Sequence, residues 1–209
     1  MTHKYLDTTG IILAGGESSR MGMNKALLRI DDKTSIQIIL EKMKKIFENV
    51  LISANEPALY GTLQTQIIPD IITNHGPLSG VHAGLSVSLT EKVFFVPCDL
   101  PLMSARMIRY FLEHNTNAEI ILPKIQNIPR YDFGIFNRSV ITKIEREING
   151  DDPNPSLRKL VKTGNTEYIE VEKLPFFDKN FFLNMNNPAE YEQVKLLFQI
   201  QSNDDEEKT

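Results

Sequence analysis

The sequence predicts one α/β domain of three layers, a mostly parallel sheet with helices on both faces. Two observations predict it. Short apolar runs alternate with segments whose apolar residues recur at helical spacing, the signature of strand–helix–strand crossovers. The first apolar run empties directly into a glycine-rich loop, and open parallel sheets bind ligands just beyond the carboxyl ends of their strands. A chain of 209 residues, 41% of them hydrophobic, can bury one substantial core. No internal repeat and no linker divides it.

Residues 10–13, Gly-Ile-Ile-Leu, form the first strand. Ile36, Ile39, Leu40, Met43, Ile46 and Phe47 then follow helix spacing. Residues 50–53 give a second strand and 66–68 a short third. Pro77 suits the first position of a helix over 77–89. Residues 93–96, Val-Phe-Phe-Val, are strongly strand-forming. Ser104 can cap a helix reaching 114. Residues 119–122 and 131–136 read as strands, and 140–148 and 156–161 as helices. Between those helices, residues 150–155 carry two prolines and two aspartates, a flexible loop. The last helix has the clearest start. Asn187 is a suitable N-cap, Pro188 occupies the first turn and Glu190 stands at the capping-box position. Tyr191, Val194, Leu197 and Phe198 supply its apolar stripe. Residues 202–209 are acidic, lack an apolar anchor and are expected to be a mobile tail.

The formal net charge of −4 argues against a basic nucleic-acid-binding surface. No apolar run approaches the roughly 18 residues of a membrane span. The opening Met1-Thr-His-Lys-Tyr-Leu-Asp7 lacks the apolar centre of a signal peptide. Cys98 is the only cysteine, so no intrachain disulfide forms and a cytoplasmic location is expected. Its position beside Asp99 admits a nucleophile, but no base is paired with it, and a buried apolar role is preferred. His3, His75, His82 and His114 form no zinc-like spacing with Cys98. They read as packing or surface residues.

The loop Ala14-Gly-Gly-Glu-Ser-Ser-Arg-Met-Gly-Met-Asn-Lys25 carries two cations, Arg20 and Lys25. Gly15 and Gly16 allow close backbone approach to a ligand, and successive N–H groups can form an anion-binding concavity. A P-loop requires four residues between its glycines followed by Lys-Ser/Thr; here five separate Gly16 from Gly22. The dinucleotide fingerprint is also absent. A nucleoside triphosphate site and a plain tight turn remain as the two readings of the glycines.

Leu13-Ala-Gly-Gly16, Arg20-Met-Gly22 and Lys25 are followed by Pro69-Asp70, Gly76-Pro-Leu-Ser-Gly80 and Pro97-Cys-Asp-Leu-Pro101. Asn184-Met-Asn-Asn-Pro188 closes the series. In order and spacing these segments resemble the molybdenum cofactor guanylyltransferase family, and together they span nearly the whole chain. The resemblance implies a Rossmann-like nucleotidyltransferase fold over residues 1–201. Its N-terminal half would bind nucleotide and its C-terminal half the pterin. The implied reaction transfers GMP from GTP to the terminal phosphate of molybdenum-molybdopterin, releasing pyrophosphate. Transient contact with other cofactor-biosynthesis proteins or receiving molybdoenzymes would accompany it, without nucleic acid or membrane.

The resemblance and the chemistry of the side chains together distribute the roles. Leu13, Ala14, Gly15, Lys25, Asp70 and Asp99 are the expected nucleotide contacts, joined by Gly16, Arg20, Asn55 and Gly80. Lys25 and Asp99 are the expected catalytic pair. Asp99 follows an apolar strand, where a carboxylate can hold Mg²⁺, which takes one or two carboxylates and completes its shell with phosphate and water. The alternative for Asp99 is a capped turn before Pro101, and for Asp70 a turn cap. Arg20 can clamp phosphate or form a surface ion pair. Arg130, Arg158 and Lys159 are candidates for the pterin phosphate, and Asn184 and Asn186 match the family's Asn-x-Asn element. Three positions depart from the family pattern: Ser53 where asparagine is frequent, Asn187 where threonine is usual, and Arg130-Tyr131 where histidine-proline is common. Competing readings are a cytidylyltransferase on the same pterin, a sugar-phosphate or alditol-phosphate nucleotidyltransferase, and a catalytically silent nucleotide-binding protein.

Overall fold

The computed structural model describes residues 4–15, 24–150 and 154–206. The expected strands and helices appear, most within a few residues of their expected limits. Strand β1 spans Thr8–Leu13. A small hairpin, β2 (Arg29–Ile30) and β3 (Lys33–Thr34), follows; its turn places Asp31 at φ 63°, a conformation asparagine and aspartate tolerate. This hairpin is too short to show periodicity and was not expected. Then come α1 (Ser35–Lys44), β4 (Val50–Ser53), β5 (Gln66–Ile68), α2 (Pro77–Val87) and β6 (Lys92–Pro97). The C-terminal half holds α3 (Ala105–Glu113), β7 (Ile120–Ile125), β8 (Ile128–Pro129), β9 (Gly134–Asn137) and α4 (Ile141–Asn149). It closes with α5 (Leu157–Thr163), β10 (Thr166–Glu170) and α6 (Pro188–Glu206).

The main sheet has the order β10-β7-β9-β6-β1-β4-β5, with β8 paired to β7. Pairings β6–β1, β1–β4, β4–β5 and β7–β10 are parallel, while β9 runs antiparallel between β6 and β7. Alternation along the central strands feeds both faces. Ile12 and Phe94 point into one buried cluster with Met43 of α1 and Phe111 of α3. Ile11 and Phe95 point into the other with Val81 of α2, Ile144 of α4 and Leu160 of α5. Two faces covered by helices explain why these strands read as continuous apolar runs.

Local chemistry sets the element limits. Ser104 Oγ accepts from Met107 N at 3.3 Å, and Ser156 Oγ accepts from Lys159 N at 3.4 Å. Asn187 Oδ1 accepts from Glu190 N at 3.0 Å, the expected cap. The Glu190 carboxylate reaches back to Asn186 N, 2.8 Å away, one residue earlier than the capping-box rule places it. Two expectations need correction. The strand expected over 131–136 begins only at Gly134, because residues 131–133 form a turn and bend. The segment expected as a mobile tail from 202 is helical backbone through Glu206, a continuation of α6. β10 was not expected at all.

Candidate active site

Four strands end at one cavity of about 600 Å³. Leu13 comes from β1, Ser53 and Asn55 follow β4, Asp70 follows β5, and Pro97, Cys98 and Asp99 end β6. The parallel pairing of these strands brings their carboxyl ends to one edge. Gly76, Pro77 and Gly80 supply one wall from the start of α2, and Gly15, Asn24, Lys25, Asn74 and Asp132 complete the lining. Gly76 has φ +54°, which only glycine adopts at little cost, so the chain can turn sharply into α2. A Cβ on Gly80 would stand 2.9 Å from Ser53 Oγ, so glycine there lets the helix rest against the end of β4. The volume suits a nucleotide-sized ligand.

Lys25 and Asp99 meet inside this cavity. Lys25 Nζ donates to Asp99 Oδ2 at 3.3 Å and to Asn186 Oδ1 at 2.5 Å. Asp99 is buried. Burial pushes its carboxyl above the usual carboxylate range, the charge of Lys25 pulls it down, and the charge of Asp132 pushes it up again. The preceding thiol is inert: burial, then the neighbouring Asp99 charge, push Cys98 up to about 12, where almost no thiolate exists near neutral pH. Cys98 is held by its backbone instead. Its N–H donates to Leu13 O at 3.0 Å, and its carbonyl accepts from Ser35 Oγ at 2.7 Å.

Asn55 and Asp70 hold each other. Asn55 Nδ2 donates to Asp70 Oδ2 at 2.8 Å, and Asp70 N donates to Asn55 Oδ1 at 2.9 Å. The paired loops after β4 and β5 thus present one polar rim. Ala14 contributes backbone: its N–H donates to Ser53 O at 2.8 Å, and its carbonyl accepts from Tyr60 Oη at 3.3 Å. Tyr60 Oη also accepts from Asn24 Nδ2 at 2.9 Å, so one buried phenol ties both ends of the glycine loop. Gly16 and Arg20 lie outside the described residues.

The C-terminal candidates divide. Arg130 Nη2 donates to Asn184 Oδ1 at 2.9 Å, its Nη1 to Phe182 O at 3.4 Å, and its Nε to Asp132 Oδ1 at 3.5 Å. Asn186 meets Lys25. Arg130, Asn184 and Asn186 therefore form a bracket beside the Lys25–Asp99 ion pair. Arg158 is not brought there. With His75, Asn154, Pro155, Ser156, Lys159 and Lys162 it lines a second cavity of about 700 Å³, which shares Asn74 with the first. Sequence reasoning missed Asn24, Tyr60, Asn74 and Asp132. Asn24 carried a signal, since it sits one residue before Lys25 and caps the short helical turn at residues 25–27, its Oδ1 accepting from Ala26 N at 3.0 Å. His82 is buried on α2 with Nε2 3.5 Å from Glu145 Oε1, a packing position as expected. Among the described residues no group of three or more His, Cys, Asp or Glu side chains could hold a metal.

A mixed sheet whose carboxyl edge opens into such a cavity, between helices on both faces, defines a Rossmann-like nucleotide-binding domain of the nucleotidyltransferase class. A family model described as the MobA-like NTP transferase domain matches residues 10–168. A molybdenum cofactor guanylyltransferase of Yersinia pseudotuberculosis is 34% identical over 187 residues, covering 87% of this chain and 92% of the other. The chain belongs to the MobA-like NTP transferase family. Its fold is shared with molybdopterin-guanine dinucleotide biosynthesis protein A from Archaeoglobus fulgidus, with a TM-score of 0.79 at 21% identity over 91% of this chain and 98% of that one. CMP:2-keto-3-deoxy-manno-octonic acid synthetase, solved with CTP, has the same fold with a TM-score of 0.74 at 14% identity over 93% and 99% of the chains. The fold alone therefore does not choose the base.

Proposed function

We infer that this protein transfers GMP from GTP to the terminal phosphate of molybdenum-molybdopterin, forming the guanine dinucleotide cofactor and pyrophosphate. The observation that carries this reading is the Lys25–Asp99 pair at the strand ends of a chain 34% identical to a named guanylyltransferase. In the reaction, an oxygen of the acceptor phosphate forms a bond to the α-phosphorus of GTP while the bond to the β-phosphate oxygen breaks. A phosphate monoester has its second pKa near 6 and is largely dianionic at neutral pH, so no side chain need serve as general base. What the site must do is bring anions together.

The residues divide that task. The rim of Asn55, Asp70, Gly76 and Gly80 holds the base and ribose end. Lys25 faces the triphosphate and stabilises the departing pyrophosphate. The bracket of Arg130, Asn184 and Asn186 receives the acceptor phosphate from the C-terminal half. Asp99 would hold Mg²⁺. Its fit is chemical: it is a hard oxygen donor, buried beside a single lysine in a cavity that Asp132 also lines, and magnesium requires no cage of protein ligands. When bound with nucleotide, the metal would offset phosphate charge and stabilise charge on the leaving group. Transient docking with other cofactor-biosynthesis proteins or receiving molybdoenzymes belongs to the same proposal. So does a cytoplasmic location, which suits a chain with one cysteine. No described helix is long and apolar enough to cross a membrane.

The test is a nucleotide panel. Purified protein, Mg²⁺ and molybdenum-molybdopterin should release pyrophosphate and form the dinucleotide with GTP, and far more slowly with CTP, ATP or UTP. A preference for CTP would move the protein to the cytidylyl branch.

A further inference from the structure

Among the described residues, the charges lining the nucleotide cavity do not match a polyanion. Among the described residues the lining carries one cation, Lys25, and three carboxylates, Asp70, Asp99 and Asp132. Lys25 is already engaged by Asp99 and Asn186. Asp70 is engaged by Asn55 on the rim. Inside the cavity that leaves two carboxylates, Asp99 paired with Lys25 and Asp132 paired with Arg130.

Asp132 is the lining residue that the C-terminal half contributes. It lies where the chain turns before β9 instead of continuing the strand. One of its oxygens is tethered to Arg130 Nε at 3.5 Å, and its other oxygen has no protein partner among the described residues. The same Arg130 is fastened to Phe182 O and Asn184, so the group that holds one Asp132 oxygen is itself held in place.

We propose that Asp132 is a second carboxylate for the metal that enters with the nucleotide, sharing it with Asp99 across the cavity and oriented by Arg130. This inference rests on the metal reading given above. Its physical content is a change of sign. Without a divalent cation, Asp132 repels the triphosphate. With one, the same charge attracts the metal–nucleotide unit. The cavity then selects against free nucleotide and for the metal complex.

The experiment measures GTP affinity calorimetrically for the full chain and for Asp132→Asn, once in EDTA and once in excess Mg²⁺. Asp132→Ser is carried in parallel, since either variant removes the charge and one suffices if the other fails to fold. The expected result is GTP affinity in EDTA equal to or tighter than that of the unaltered protein. With Mg²⁺ the affinity should be weaker, so that the metal enhancement falls by about 10–100-fold, the range seen when support for a metal ligand is removed. A loss in affinity of similar size in both conditions would show a structural role and overturn the proposal, as would an unchanged metal enhancement. The previous reading fails differently: CTP would be preferred over GTP, or no transfer to the pterin would occur, and neither outcome alters the EDTA–Mg²⁺ comparison for the nucleotide that does bind.

Discussion

Removing the Lys25 ammonium separates catalysis from nucleotide storage. Lys25 Nζ lies between Asp99 Oδ2 at 3.3 Å and Asn186 Oδ1 at 2.5 Å, and its side chain is 22% exposed. At an effective dielectric of about 20, two unit charges about 4 Å apart interact by about 4 kcal/mol. In the resting site part of that attraction is directed at Asp99. As the bond to the leaving group breaks, negative charge grows on the pyrophosphate, and only the attraction that grows with it lowers the barrier. A preorganised donor of this kind contributes about 2.7–4 kcal/mol, or about 10²–10³ in rate. Lys25→Ala should therefore lower kcat by about that factor while changing the GTP dissociation constant much less, with kcat and kcat/KM falling together. Single-turnover quench measurements at saturating GTP with molybdenum-molybdopterin read the chemical step directly. An unaltered chemical step with a raised KM would refute the argument and leave Lys25 a binding residue.

Two further outcomes follow from the same geometry. Asp99→Asn should abolish most turnover yet raise the melting temperature. The folded-state pKa of Asp99 is raised above its ordinary value, chiefly by burial, so the folded protein holds this proton where the unfolded chain has lost it. Stability then falls as pH rises through that window. The variant's advantage should grow as pH rises above the ordinary carboxylate pKa of 3.8 and vanish below it; melting curves from acid to neutral pH check it, and a variant less stable at pH 7 would contradict it. Tyr60→Phe removes the hydroxyl that links Ala14 O to Asn24. It should cost about 1–3 kcal/mol, the cost of leaving a buried polar group without its partner, and raise KM for GTP severalfold by loosening the glycine loop. Urea titration and steady-state kinetics together test it, and an unchanged KM would show that the phenol serves stability alone.

Much of this protein was legible in the chain because its signals are local. Strand, cap and glycine patterns are set by residues a few positions apart, so Ser104 and Asn187 announced their helices and Leu13-Ala-Gly announced the edge of the sheet. The convergence of Leu13, Asn55, Asp70 and Asp99 could be inferred too, because parallel strands with helical crossovers must place their carboxyl ends together. Tertiary structure decided the rest. β10 became a strand by pairing with β7, an interaction across more than forty residues that no periodicity records. Arg130 and Arg158 look alike as surface cations in sequence, yet the turn before β9 carries Arg130 to Asn184 while α5 carries Arg158 to a different cavity. Asp132 was invisible for the same reason. In sequence it reads as one acidic residue within an apolar segment, and only the turn that delays β9 to Gly134 leaves it lining the cavity of Asp99. Local pattern determines which elements form; the charge that each site collects depends on where packing delivers side chains far apart in the chain.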